Sequence, residues 1–193
     1  MVYDAEATTI TTDRLTLRMF SLSDAARVAQ LCNNEKISAR TLNLPYPYTV
    51  ENAETWIQWH KASFDEDKRY EFAVTDKLTG ELYGCVGLGN DPRFHHGEIG
   101  YWFGEEYWGR GYATEAARAV IEFAFTVKQY HRVFAHHFAF NPASGRVMQK
   151  AGMTWEGVMK EHVFKNGKYV DLVSYGIINQ LPPCASTTLR GSC

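Results

Sequence analysis

Residues 98–117 read EIGYWFGEEYWGRGYATEAA, and this stretch carries most of the information about the fold. The composition of Glu98–Phe103 predicts a β-strand, and Thr114–Val127 is an apolar, alanine-rich segment that predicts a helix. The turn GRGYAT (109–114) joins them. Glycines at a strand-to-helix turn let several backbone N–H groups point into one concavity, and the helix N-terminus favours an anion there. The stretch therefore predicts a phosphate-binding turn, with Arg110 adding positive charge at the rim.

Three kinds of nucleotide site can use such a turn. A P-loop needs the pattern GxxxxGK followed by Ser or Thr, which the chain lacks. A dinucleotide fingerprint needs a third glycine at the position of Thr114. Such a fingerprint also lies near the start of a βαβ unit, whereas the turn of this chain lies past the midpoint of the sequence. A coenzyme A pyrophosphate site needs only small residues and exposed amides. Taken alone, the turn is about equally compatible with a coenzyme A site and with a glycine-rich loop that binds no ligand.

The periodicity of the remaining chain predicts a mixed sheet of about seven strands with about four helices, of the α/β (α+β) class. Two helices follow the first strand, one after Ser21 and Ser23 and one capped by Thr49 and carrying an apolar stripe to Phe64. The fourth helix covers Ala143–Ala151. The predicted strands are Leu15–Met19, Tyr70–Thr75, Leu82–Leu88, Glu98–Phe103, Arg132–Phe138, Val158–Phe164 and Tyr169–Ile178.

Length and composition predict one domain over residues 9–180, with tails at 1–8 and 181–193. The chain has 193 residues, is 45% hydrophobic, and carries 20 Lys and Arg against 22 Asp and Glu, so a nucleic-acid partner is not expected. No apolar run is long enough for a membrane span and no signal peptide is evident, which predicts a cytoplasmic protein without a membrane partner. The scattered cysteines indicate no metal site.

Several motifs along nearly the whole chain resemble the GNAT superfamily of acetyl-CoA-dependent N-acetyltransferases, and most closely its RimJ/RimL branch of ribosomal-protein N-terminal acetyltransferases. They are TDRLTLR (12–18), EIGYW (98–102), YWGRGYATEA (107–116), NPASGRVMQKAGM (141–153) and the Asn166-Gly167 hairpin. The family turn begins with a polar residue where this chain has Trp108. That departure is common in this branch, and it costs little because backbone amides hold the pyrophosphate.

The resemblance implies a sheet that splays between its fourth and fifth strands to admit the pantetheine arm of acetyl-CoA. It further implies that Asn141 hydrogen-bonds the pantetheine and that Ser144 lies near the thioester sulfur, as a hydrogen-bond donor to the leaving thiolate. The alternative for both residues is helix capping. The implied cofactor-binding residues are Trp102, Phe103, Gly104, Gly109, Arg110, Gly111, Tyr112, Ala113, Thr114, Asn141 and Ser144.

The general base stays open in the sequence. Glu98, beside the expected thioester, acts directly or through a water, or it is only a structural carboxylate. Glu161 and His162 on the penultimate strand are further candidates. In some ribosomal-protein enzymes of this kind a glutamate on that strand is the proposed base, and its position falls on Val163 here. A metal role is not expected for the remaining loop and strand histidines, which are His95, His96, His131, His136 and His137.

The sequence therefore predicts an acyltransferase that moves an acetyl group from acetyl-CoA to a primary amine by direct attack in a ternary complex. The acceptor is a protein N-terminus or a small amine, and the protein is a monomer or a homodimer. A non-catalytic acetyl-CoA sensor or interaction module on the same fold is the alternative. An oxidoreductase is disfavoured by the missing third glycine.

Overall fold

The computed structural model describes residues 1–6 and 8–180, and over these ranges the chain forms one mixed sheet flanked by helices. The strands are β1 Val2–Asp4, β2 Thr9–Thr11, β3 Leu15–Met19, β4 Arg69–Asp76, β5 Leu82–Asp91, β6 His96–Phe103, β7 Arg132–Phe138, β8 Thr154–Lys165 and β9 Lys168–Ile178. The helices are α1 Ala25–Cys32, α2 Glu35–Arg40, α3 Val50–Ile57, α4 His60–Asp65, α5 Tyr112–Thr126 and α6 Pro142–Lys150. The sheet order is β1-β2-β3-β4-β5-β6-β7-β9-β8. The predicted class and the seven predicted strands are confirmed.

Two short strands extend the sheet beyond the prediction. Val2–Asp4 pairs antiparallel with Thr9–Thr11, so these residues are part of the sheet and the predicted tail over 1–8 is wrong for them. Tyr3 packs edge-on against Phe123 of α5, with ring centroids 5.0 Å apart. Strands of three residues are too short to show an alternating pattern, which is why the sequence did not indicate them. The predicted tail at 181–193 lies outside the described residues.

The helical region between β3 and β4 also holds more elements than the prediction. The six-residue helix α2 begins at Asn34, whose side chain accepts from the backbone N–H groups of Lys36 and Ile37. The helix predicted from Thr49 to Phe64 is two helices, α3 and α4. Thr49 is the N-cap of α3, as predicted. The additional helix α2 matters because its last residue, Arg40, borders the site described below.

The core lies on both faces of the sheet. Helix α5 covers one face with fully buried side chains, and its Phe123 meets Tyr70 and Phe72 of β4 edge-on at 5.6 Å. Burying one such ring contributes about 1.5–3 kcal/mol. Helices α1 and α3 cover the opposite face, where Trp56 of α3 lies 6.1 Å from the ring of Trp102 on β6. Both faces of β6 are thus enclosed by helices. No helix in the described part of the chain is long and apolar enough to cross a membrane.

The sheet opens between β6 and β7, which are its parallel neighbours. Their register runs through His96↔Arg132 and Gly97↔Val133 and stops at Glu98↔Phe134. Beyond these positions the strands diverge, while β6 stays paired with β5 as far as Phe103 and β7 stays paired with β9 as far as Phe138. The predicted splay is confirmed. We call this opening the fork.

Candidate active site

Two cavities meet at the fork. The smaller, the turn cavity, has a volume of about 320 Å³ and is bounded by the glycine turn and α6. The larger, the sheet cavity, has a volume of about 650 Å³ and lies on the α1 and α3 side of the sheet. The residues that line both are Arg40, Thr41, Tyr101, Trp102 and Ser144. The two spaces are therefore separate approaches to one point on β6.

The glycine turn has the backbone geometry that the sequence predicted. Gly109 and Gly111 have φ values of 75° and 83°, in the left-handed region that side chains disfavour, and Gly111 is the N-cap of α5. The next three residues open the helix, so their N–H groups have no acceptor within it. Among residues 1–6 and 8–180, no backbone oxygen accepts from the N–H groups of Gly109, Arg110 or Gly111. The turn therefore presents a run of unused donors beside the cavity.

The N-terminal strand region holds this turn in place through Glu115 in the first turn of α5. The Glu115 carboxylate accepts from the Thr12 hydroxyl at 2.7 Å, the Arg14 N–H at 2.9 Å and the Arg14 Nε–H at 2.7 Å. Burial raises the pKa of Glu115, but these hydrogen bonds outweigh it and the net pKa lies below its ordinary value. Arg14 also donates to the carbonyl of Arg110 at 3.1 Å. The motif TDRLTLR is thus a support for the turn.

The charge of the turn cavity is positive, but it comes from other residues than the one predicted. Arg110 does not line the cavity, whereas Arg40, Arg146 and Lys150 do. The described lining contains no acidic side chain. The guanidinium carbon of Arg40 also lies 5.7 Å from the ring centre of Trp108. A cavity with three cations and free amides is suited to a polyanionic ligand.

Trp102, Phe103 and Gly104, the implied cofactor-binding residues at and just after the end of β6, differ from one another. Trp102 and Phe103 line the turn cavity, and Gly104 lines neither cavity. The N–H of Gly104 donates to Tyr83 and its carbonyl accepts from Tyr107, while the carbonyl of Phe103 accepts from the Trp108 indole at 2.8 Å. A Cβ at position 104 would lie 2.6 Å from Leu31 Cδ2, so close packing explains this glycine. The N–H and carbonyl of Gly104 are therefore already hydrogen-bonded within the fold.

Asn141 and Ser144 both face the turn cavity from the start of α6. Asn141 occupies the N-cap position, but its side chain makes no capping hydrogen bond, so the capping alternative does not describe it. The Ser144 hydroxyl donates to the Tyr101 hydroxyl at 2.9 Å, and the Tyr101 hydroxyl donates to the Ser144 carbonyl at 2.9 Å. Burial raises the pKa of Tyr101, which keeps its proton. Tyr101 was not among the predicted site residues, because nothing in EIGYW indicates that this tyrosine pairs with Ser144.

The predicted base candidates lie in different surroundings. Glu98 is the last β6 residue paired with β7 and lines the sheet cavity. Glu161 and His162 are exposed and line neither cavity, because β8 bulges there: its register with β9 shifts between Met159 and Val163, and Glu161 has a φ of 47°. Val163 lines the sheet cavity. The position that corresponds to the family glutamate therefore borders this cavity, but here it carries no carboxylate.

The remaining walls of the sheet cavity combine aromatic and charged side chains from distant segments of the chain. Tyr48 and Trp56 supply aromatic surface, and Arg69 forms an ion pair with Glu71, whose side chain is 9% exposed. Gly100 belongs to the floor, where an added Cβ would have no atom within 4 Å. Among the described residues, no group of three or more His, Cys, Asp or Glu side chains is placed to hold a metal.

Residues 14–154 match the family model described as an acetyltransferase (GNAT) domain. The chain belongs to the GNAT acetyltransferase family. YoaA, an uncharacterized N-acetyltransferase of Bacillus subtilis (strain 168), is 30% identical over 86% of this chain and 94% of its own length. The ribosomal protein uS5-alanine N-acetyltransferase of Escherichia coli (strain K12) is 27% identical over 85% of this chain and 87% of its own length.

The GNAT fold is also that of RimL, a ribosomal L7/L12 α-N-protein acetyltransferase solved in complex with coenzyme A. The two structures share a TM-score of 0.81 at 22% identity, over 88% of this chain and 97% of that one. The resemblance to the RimJ/RimL branch is confirmed, and the protein is an acyltransferase.

Proposed function

We propose that this GNAT protein transfers the acetyl group of acetyl-CoA to a primary amine, by direct attack in a ternary complex. The fork carries the proposal, because it joins a cavity suited to a polyanion to a second cavity that reaches the same residues from the other face. Donor and acceptor can then be bound together and meet at Tyr101, Trp102 and Ser144. Holding both reactants in place is a large source of rate enhancement in such reactions.

The turn cavity fits the donor. The free amides of residues 109–114 and the positive side chains Arg40, Arg146 and Lys150 offer binding to the phosphates of acetyl-CoA. The side chain of Asn141, which makes no capping hydrogen bond, supplies a donor and an acceptor for the amides of the pantetheine arm. RimL, with the same fold, was solved in complex with coenzyme A. Beyond Glu98, the β6 backbone facing the fork has no strand partner in the described part of the chain, so it offers hydrogen bonds to the arm and to the thioester carbonyl.

The sheet cavity fits an amine acceptor. Glu98 and Glu71 bring carboxylates to its lining, and Tyr48, Trp56 and Trp102 bring aromatic surface that excludes water. Ser144 and Tyr101 lie between the cavities, so either hydroxyl can donate a hydrogen bond to the thiolate as it leaves. A cytoplasmic location and the oligomeric state remain predictions from the sequence.

The test is thiol release from acetyl-CoA with a panel of small amines and of peptides with free N-termini, including those of ribosomal proteins. We expect one acceptor class to give turnover, with intersecting initial-velocity lines for the two substrates. Parallel lines would contradict direct attack. Acetyl-CoA binding without turnover on any amine would contradict the proposed acceptor, and failure to bind acetyl-CoA would contradict the whole proposal.

Two variants assign the parts of the site. Ser144→Ala is expected to lower kcat with little change in acetyl-CoA affinity, because it removes a donor to the leaving group. Glu98→Gln tests whether that carboxylate contributes to proton removal. Glu161→Gln is the matched control, since Glu161 is exposed and outside both cavities. Equal losses in Glu98→Gln and Glu161→Gln would show that neither acts at the reacting atoms.

A further inference from the structure

His136 stands at the fork on the side of the sheet cavity. Its β7 neighbour Phe134 is the last residue paired with β6, and His136 follows on the same face of the strand, where the gap has opened. The two rings are 5.5 Å apart. Nδ1 of His136 is shut off from solvent, and no group in residues 1–6 and 8–180 forms a hydrogen bond with it. Nε2 is therefore the ring nitrogen that can meet a group in the cavity.

We propose that His136 is a catalytic residue that takes the proton of the attacking amine on Nε2, with Glu98 stabilising the imidazolium from the facing strand. The inference rests on the proposed function and adds a base that the sequence analysis did not consider. Glu98 and His136 flank the closed end of the fork from β6 and β7, and both line the sheet cavity. An amine in that cavity meets the two groups together.

The step balances without another reactant. The nitrogen of the neutral amine forms a bond to the carbonyl carbon of the thioester, and the carbonyl π pair moves to oxygen. Nε2 of His136 takes the proton that the nitrogen loses. The oxygen pair then re-forms the carbonyl as the carbon–sulfur bond breaks, giving an amide and a thiolate. His136 returns its proton to solvent, and the thiolate takes one from solvent.

The surroundings of His136 keep its ring neutral and ready to accept a proton. Burial is the largest effect and lowers the pKa of His136, while the carboxylate of Glu98 acts in the opposite direction. The other charged groups nearby are arranged in opposing pairs, because Arg132 is bonded to Glu156 and Arg69 to Glu71. The charged groups and the other histidine near this side chain are Glu98, Arg132, Glu156, His162, Arg40, Arg69 and Glu71. The further titratable residues that line the cavity with His136 are His137, Tyr48, Tyr101, Cys32 and Cys85.

The neighbouring His137 cannot take this role. Its Nδ1 lies 2.8 Å from the carbonyl oxygen of Phe138, and its Nε2 packs against the backbone of Gly145 in α6. His137 is buried and belongs to the contact between β7 and α6. Both histidines border the sheet cavity, but alternation along the strand turns His137 toward α6, where these contacts hold its ring.

The first experiment does not depend on the acceptor. We expect NMR titration of histidine-labelled protein to give His136 a pKa below the ordinary value of about 6.5. Its Nε2 signal should shift on addition of S-acetonyl-CoA, a thioether analogue that cannot transfer its acyl group. Exposed His131, which lines neither cavity, is the reference. A His136 ring that is protonated at pH 7, or that is as insensitive to the analogue as His131, would overturn the proposal.

The second experiment uses the best acceptor from the amine panel. His136→Gln is expected to lower kcat by about 100-fold, in the range for loss of a general base. It should also remove an acid limb of the pH profile while acetyl-CoA affinity is unchanged. Added imidazole should restore activity to His136→Ala but not to Ser144→Ala, and His131→Gln should behave as wild type. Wild-type turnover that His136→Gln retains would refute this role alone, whereas no wild-type turnover would refute the proposed function.

Discussion

Replacing Glu115 with glutamine tests whether the N-terminal motif supports the glycine turn. The carboxylate accepts three hydrogen bonds from Thr12 and Arg14, and its side chain is 19% exposed while that of Arg14 is 48% exposed. Glutamine keeps the shape but loses the charge, and its amide group places a donor against the Arg14 guanidinium. Allowing for the exposure of Arg14, the loss is about 2 kcal/mol of unfolding free energy. For a chain of this size this lowers Tm by ~4–8 °C.

Thermal unfolding and acetyl-CoA titration together check this prediction. Because the same contacts position the turn, we expect acetyl-CoA affinity to fall by roughly 3–10-fold, or about 1 kcal/mol. Glu122→Gln is the matched control on the same helix, since Glu122 is half exposed and its carboxylate pairs with the terminal amine at 3.3 Å. Because hydrogen bonds lower the pKa of Glu115, they stabilise the fold at pH values above the ordinary pKa of this carboxyl group. The stabilisation is lost as the pH falls through the pKa that Glu115 has in the folded protein. Equal Tm and affinity in the two variants would refute the reasoning.

Two further predictions concern the faces of the sheet. Gly100→Ala should leave Tm unchanged or slightly higher, because its Cβ meets no atom within 4 Å, yet lower kcat/KM for the acceptor by about tenfold through the methyl in the sheet cavity. Gly145→Ala, whose Cβ would lie 2.6 Å from His137 Nε2, should instead lose ~1–3 kcal/mol of stability. Unchanged kinetics in Gly100→Ala would contradict the assignment of Gly100 to the floor of the sheet cavity. His60→Leu should raise Tm, because both ring nitrogens of His60 are buried without a hydrogen-bond partner among the residues that the structure describes. Burial lowers the pKa of His60, so the stability of the wild-type protein should fall as the pH drops below about 6.5. If Tm depends on pH in the same way in His60→Leu and in the wild type between pH 5 and 8, this reasoning is refuted.

The donor half of the site could be predicted from the sequence because it is local. Gly109 and Gly111 indicate a left-handed backbone, and the residues after them predict a helix. The turn and its free amides can therefore be predicted from residues that are adjacent in the sequence. The acceptor half could not, because its walls come from distant segments. Trp56, Arg69 and His136 share one cavity only through the order and register of the strands. Arg110 illustrates the limit within the turn itself, since it does not line the cavity, whereas Arg40 from a distant helix does.

Helix α6 explains why the fork stays open. At its start, the absence of a side chain on Gly145 lets the helix approach β7 so closely that a Cβ would lie 2.6 Å from His137. One residue earlier, Ser144 reaches the other strand through its two hydrogen bonds with Tyr101. The helix thus bridges two strands whose own pairing has ended at Glu98. Ser144 therefore has a structural role as well as its proposed catalytic one, and a slower Ser144→Ala enzyme is evidence for the catalytic role only when its acetyl-CoA affinity is retained.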